Sequence, residues 1–169
     1  DPALLGEADM VIVAVPTPLE TQQIFEARRA LEAAIVKVVT ERAMPADLDA
    51  LRLQLQQEHL GMHRFDQPAW ARLASTFHLR LAELAGNPVL QRYLVETVSR
   101  CSLIVALHEP PGNAACEHDE HKRIVECISR RDAAGAVELM DLHLRELERH
   151  LTLDNDLAPR SLAHLLGLA

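Results

Sequence analysis

The chain has 169 residues, 49% of them hydrophobic and 3% aromatic, and its 17 Lys+Arg against 25 Asp+Glu give a formal charge of −8. That length forms one domain with a real core, and a Leu- and Ala-rich, aromatic-poor composition favours packed helices over a sheet. The acidic balance excludes a segment that grips DNA or an anionic membrane by itself, and no apolar run approaches the roughly 20 residues of a membrane span. Residues 1–20 lack a basic stretch followed by an apolar one, so no signal peptide is expected. Cys101, Cys116 and Cys127 are odd in number and form no CxxC, which points to a reduced, cytoplasmic protein.

Residues 1–18 read as a linker or the remnant of a strand: Met10-Val-Ile-Val-Ala-Val15 is β-like and stops at Pro16-Thr-Pro18. From Thr17 the pattern turns helical. Thr21 is the expected cap, and Ile24, Leu31, Ala34, Ile35 and Val38 mark an apolar stripe running to about Ala43. Pro45 opens a second helix through Leu48, Leu51, Leu55 and His59, ending near Gly61. Asp66-Gln-Pro68 begins a third, which carries Trp70, Leu73, Phe77, His78, Leu81 and Leu84 and stops at Gly86-Asn87. Pro88 begins a fourth helix through Leu90, Leu94 and Val98 to about Leu107, followed by a loop at Glu109-Pro-Pro-Gly-Asn113. A fifth helix covers about 117 to 130, Asp132 caps a sixth running to about Leu151, and Ser161 to Leu168 is a candidate seventh. Short loops make sequential helices antiparallel neighbours.

Three of these helices carry a histidine on their apolar face. His78 lies in Ala74-x3-His78-x2-Leu81-x3-Ala85, His121 in His121-x2-Ile124-x3-Ile128, and His143 in Ala136-x3-Met140-x2-His143-x3-Leu147. A single such histidine is more often a satisfied core residue than a ligand. Three on different helices would carry a repeated desolvation cost unless they share a partner, and neutral imidazole is the commonest metal ligand. His118 and Glu117 compete for the face of His121, while His59, His63, His108, His150 and His164 read as surface or helix-end residues. Arg28, four residues after Ile24, borders the stripe of the first helix. It suits a bidentate pair with a ligand carboxylate, or equally a surface pair with Glu32 one turn on. There is no Gly-x-Ser-x-Gly elbow, phosphate-binding Gly-rich loop or dinucleotide fingerprint, which leaves an enzyme poorly supported. Metal-assisted hydrolysis would need a base such as Glu117 or Glu120 beside a metal-bound water.

Three segments resemble a known family. They are Glu26-Ala-Arg28-Arg29-Ala-Leu31-Glu32, Phe77-His78-x2-Leu81-x4-Gly86-Asn87, and His121-x2-Ile124-x3-Ile128-x3-Asp132-x3-Ala136-x3-Met140-x2-His143-Leu144. Together they resemble the effector-binding C-terminal domain of GntR-type bacterial transcription regulators of the FadR-like (FCD) class. The resemblance implies an all-α, antiparallel bundle of six or seven helices around a central ligand and metal cavity. It also implies a divalent metal held by an Asp and three His, with small carboxylates docking on it. His78, His121 and His143 match the three histidines; the Asp has no counterpart, since Ala74 stands in its place, and Arg131 replaces the family's Gly before Asp132. Three histidines still suffice for zinc, with nickel or manganese as alternatives, if water or the effector supplies the next ligand.

The expectation is therefore a linker over 1–18 and an FCD-like sensing domain over 19–169. It is non-enzymatic and homodimeric, takes a small organic acid at His78, His121, His143 and Arg28, and has no DNA-binding residue of its own. DNA would be read by an N-terminal winged helix-turn-helix, to which Met10–Pro16 would connect. The alternatives are a metal-dependent hydrolase or lyase using the same histidines, and a metal-free helical interaction module whose histidines lie far apart.

Overall fold

The structure, a computed structural model, describes residues 16–63, 67–108 and 114–151. These residues form helices α1 (Pro18–Arg42), α2 (Pro45–His63), α3 (Gln67–Leu84), α4 (Pro88–His108), α5 (Ala114–Ser129) and α6 (Ala133–Arg149). No described helix is long and apolar enough to cross a membrane. The β-like run at 10–15, the Asp66 cap, the 109–113 loop and the candidate helix at 161–168 lie outside the described residues.

The helix ends follow local chemistry. Thr17, not Thr21, caps α1: the Thr17 hydroxyl accepts from the Glu20 amide at 3.2 Å, and the Glu20 carboxylate accepts from the Thr17 amide at 2.8 Å. Pro at the first helical position and Glu at the third make this a capping box, a stronger signal than a threonine alone. α3 ends on Gly86 at φ +65, and the side chain of Asn87 then caps α4 through the amides of Val89 and Leu90 at 3.0 and 3.3 Å. Asp132 caps α6 as expected, accepting from the Gly135 amide at 2.9 Å.

α1 packs against both α4 and α6 and also meets α3 and α5, while α2 pairs with α3 and α5. Its direction against α6 is fixed from both ends. Arg29 pairs with Glu148 at 2.6 Å, and Arg131, just before α6, donates to the carbonyls of Thr40 and Ala43 at 2.9 and 2.6 Å. The two helices are therefore antiparallel. The line of α1 that faces inward is Thr21, Phe25, Arg28, Glu32, Ile35 and Val39. It is rotated from the apolar stripe, leaving Ala34 exposed, because two of the inward positions are charged. Arg28 and Glu32 separate two apolar clusters. One contains Phe25, Cys101, Ile104 and Leu147, and the larger contains Ile35, Leu51, Phe77, Leu81, Ile124, Met140 and Leu144. Each such buried side chain contributes roughly 1.5–3 kcal/mol. The polar layer between them is the part of the core that burial alone does not explain.

The α5–α6 corner shows how the chain manages without glycine. The Arg131 amide reaches the Ile128 carbonyl at 3.1 Å and the Asp132 amide reaches that of Cys127 at 3.0 Å, a Schellman turn with Arg131 at φ +60. A left-handed non-glycine residue costs roughly 1–2 kcal/mol. The guanidinium offsets this by capping the C-terminal carbonyls of α1, each charge-assisted bond being worth about 1.5–3 kcal/mol. Arg131→Ala is thus expected to lower the melting temperature more than Arg131→Gly, with both below the wild type. A more stable Arg131→Gly variant in thermal unfolding would show that the cap contributes less than the strain.

Candidate metal centre

Each histidine is delivered by the inward line of its helix. On α3 this line runs Ala74, Phe77, His78 and Leu81; on α5 it runs His121, Ile124 and Ile128; on α6 it runs Ala136, Met140, His143 and Leu147. The three imidazoles are 2%, 0% and 1% exposed, so water does not solvate them. They meet: Nε2 of His143 lies 3.3 Å from Nε2 of His121 and 3.4 Å from Nε2 of His78, and one ligand atom from each of the three falls within 4.8 Å of the others. Phe77 stacks on His121 with ring centroids 4.1 Å apart, which fixes the plane of that ring.

The opposite nitrogens are all held by carboxylates. Nδ1 of His78 lies 2.5 Å from Glu32, Nδ1 of His121 3.0 Å from Glu58, and Nδ1 of His143 2.7 Å from Glu120. An ionised carboxylate only accepts, so beside Glu32 the proton sits on Nδ1 of His78 and Nε2 presents its lone pair, and the carboxylates at Nδ1 of His121 and His143 favour the same tautomer when ionised. Burial, together with the neighbouring Arg28, brings the His78 pKa down to about 3, and burial with His143 beside it holds His121 well below its usual value. Both rings are therefore neutral at physiological pH. Three lone pairs aimed at one another repel, and a cation placed among them turns that repulsion into coordination. Nitrogens about 2.0–2.1 Å from a tetrahedral zinc are about 3.3–3.4 Å from each other, the spacing that His143 keeps to both partners. The donor set fits a divalent metal.

The carboxylates differ among themselves. Burial opposes the ionisation of Glu32, but His78 and Arg28 together outweigh it and bring its pKa down to about 2. Glu58 pairs with no arginine or lysine among the described residues; burial pushes it up to about 7, with Gln54 and His118 partly offsetting. Glu120 is 28% exposed and sits at the edge of the cluster.

Arg28 is 4% exposed, and its Nε donates to Glu32 Oε1 at 2.6 Å while the other Glu32 oxygen meets His78. Of the two readings offered by spacing, the i,i+4 pair with Glu32 is present, but it is buried rather than on the surface. Ala74, one turn before His78, is buried and brings no carboxylate to the cluster. Spacing missed Glu32, Glu58 and Glu120 as partners of the imidazoles. Glu58 was detectable, since it follows Leu51 and Leu55 at helical intervals and is 1% exposed, whereas His59 beside it is exposed. His118, named as a competitor of His121, stands outside the cluster with Nδ1 3.6 Å from Glu58. Glu120 is engaged at Nδ1 of His143, on the far side of that ring from the three Nε2 atoms, and the side chain of Glu117 lies outside the described ones.

Comparison with known proteins agrees with this architecture. The FCD domain family matches residues 23–146. The chain is 26% identical over 136 residues to the HTH-type transcriptional regulator LutR of Bacillus subtilis, covering 76% of this chain and 61% of LutR. It is 28% identical over 121 residues to the HTH-type transcriptional repressor NanR of Citrobacter rodentium, covering 69% of this chain and 45% of NanR. The chain therefore spans between about half and three-fifths of these relatives. Among solved structures, GntR of Streptococcus agalactiae superposes with a TM-score of 0.68 at 24% identity, covering 76% of this chain and 58% of that one. McbR/YncC of E. coli superposes with a TM-score of 0.71 at 16% identity, covering 80% and 69%. At such identities the structures establish the fold, and the family match over 23–146 establishes the family: the chain belongs to the FCD domain family.

Proposed function

We propose that this bundle is the sensing half of a cytoplasmic, homodimeric DNA-binding transcription regulator, and that it senses a small organic acid at a metal held by His78, His121 and His143. The observation that carries the reading is the set of three inward Nε2 atoms, each fixed by a carboxylate at the opposite nitrogen. A divalent cation held there, with zinc the first candidate and nickel or manganese the alternatives, would supply a Lewis-acidic position for a carboxylate oxygen. Glu32, Glu58 and Glu120 hold the rings in the ligating tautomer, and Phe77 keeps His121 in plane. Arg28 lies beside the cluster with its charge balanced by Glu32, and its remaining N–H groups are the donors offered to the acid. DNA contact belongs to an attached winged helix-turn-helix, and the effector acts by shifting its orientation across the dimer.

Ala74 gives this site its particular character. Three neutral imidazoles leave the full charge of the metal uncompensated by any direct ligand, so an acid that supplies a carboxylate strengthens metal binding, and the metal strengthens binding of the acid by the same factor. Zinc titration of metal-stripped protein, followed by thermal unfolding with acetate, lactate, succinate and citrate, tests this. Zinc is expected to raise the melting temperature and one or more acids to raise it further. No zinc binding, or zinc binding indifferent to every acid, would sink the metal-and-acid reading. Ala74→Asp restores an anionic ligand one turn from His78. It is expected to tighten zinc roughly tenfold or more without any acid, and to shrink the effect of the acid.

A further inference from the structure

The three imidazoles line neither of two surface grooves, one between α2 and α5 and one between α1 and α4. The α2–α5 groove is about 680 Å³ in volume, and one residue of its wall, His118, lies beside the carboxylate that holds His121. Its floor is apolar, formed by Leu55 and Val125, with Leu60 standing 59% exposed at its edge. Lys122 is on its rim and forms no ion pair among the described residues, whereas Arg52, also on the rim, is engaged by Asp49 at 2.9 Å. Glu126, one turn beyond Lys122 on α5, contributes a negative charge. The groove thus combines an apolar floor, one ammonium without an ion pair among the described residues and one repelling carboxylate. That combination fits an acid with an apolar stem and a single negative charge, and disfavours di- and tricarboxylates.

His118 forms part of the same wall and is 14% exposed. Its inner nitrogen, Nδ1, is buried without a hydrogen-bond partner and lies 3.6 Å from Glu58 Oε2, the oxygen that holds Nδ1 of His121 at 3.0 Å. A movement of His118 by a few tenths of an ångström brings Nδ1 within bonding reach of Glu58, where it competes with His121 for one oxygen.

We propose that the α2–α5 groove is a second binding site, for an aliphatic monocarboxylate, and that its occupancy reaches the imidazole cluster through His118 and Glu58. The acid seats its stem on Leu55, Leu60 and Val125 and its carboxylate against Lys122, and His118 shifts toward Glu58 when the groove fills. The site itself is independent of the metal reading above; only the coupling to the cluster rests on it.

Hexanoate titrated into metal-stripped protein, in the presence of chelator, tests the site by methyl NMR. Saturable shifts are expected at the methyl groups of Val125 and Leu60. Lys122→Glu, a surface change that leaves the core intact, is expected to weaken the hexanoate response about tenfold, and Leu60→Ser to weaken it about threefold. Succinate is expected to bind more weakly than hexanoate. Absence of saturable shifts at these methyls, or an undiminished response in Lys122→Glu, overturns the proposal. The coupling is read from zinc affinity in the presence and absence of hexanoate: a change of about threefold or more, lost in His118→Ala, is expected. Unchanged zinc affinity in the wild type rejects the coupling. A wild-type protein that fails to bind zinc rejects the metal reading instead, and the methyl shifts then still decide the groove.

Discussion

Replacing His143 by alanine is expected to weaken zinc binding by at least about a hundredfold, more than loss of any orienting carboxylate, because it removes a donor outright. The geometry singles out this residue. Its Nε2 is the atom within 3.3 and 3.4 Å of both other imidazoles, so it is the shared vertex of the cluster. With Ala74 supplying nothing, two neutral nitrogens would be left to hold a divalent ion. Glu120→Gln makes the graded comparison: it keeps His143 but weakens the bond that orients it, and a loss of roughly tenfold is expected. Melting temperatures measured in chelator separate the metal from the fold. There, His143→Ala should differ from wild type by far less than it does when zinc is present. A His143→Ala protein that binds zinc within threefold of wild type would contradict the assignment of this residue as a ligand.

Much of the fold was legible in the chain because it rests on local chemistry. Proline at helix starts, Gly86-Asn87 between α3 and α4 and Asp132 before α6 each act within a few residues, and the structure has all of them in those roles. The three histidines were legible for a related reason: each shares a helical period with neighbours that are unmistakably core. What periodicity could not supply was partnership. On α1 the apolar residues Ile24, Leu31 and Ala34 suggested one face, but the helix turns a different one inward because Arg28, Glu32 and His78 satisfy one another there. A polar residue is read as exposed until its partner is known, and the partner here lies 46 positions away on another helix. The same holds for Glu58, whose partner His121 is 63 positions distant. The missing information was pairwise, and a single stretch of sequence does not carry it.

That pairing sets the second large effect. Glu32→Met is expected to destabilise the metal-free fold by about 3–5 kcal/mol, since it leaves the Arg28 guanidinium buried without its counter-charge and Nδ1 of His78 without an acceptor. Against a total stability of about 5–15 kcal/mol, such a loss brings the bundle close to unfolding at ambient temperature. The double change Arg28→Met with Glu32→Met is expected to recover most of it, because an apolar pair of similar volume needs no desolvated charge. The pH dependence has a definite sign. Glu32 has its folded pKa lowered from 4.5 to about 2, so its contribution is complete above pH 4.5 and is lost as the pH falls toward 2. His78, lowered from 6.5 to about 3, adds a loss that begins below pH 6.5, because the unfolded chain takes up a proton that the buried ring refuses. Glu58 acts the other way: raised from 4.5 to about 7, it favours the folded state most below pH 4.5, and that contribution fades as the pH rises through 7. The gap between wild type and Glu32→Met therefore narrows on acidification below pH 4.5, and urea unfolding in chelator at neutral pH and near pH 3 measures it. A gap already under about 1 kcal/mol at neutral pH would mean that Arg28 finds another partner or reaches water when Glu32 is gone, and that this ion pair does not hold the polar layer together.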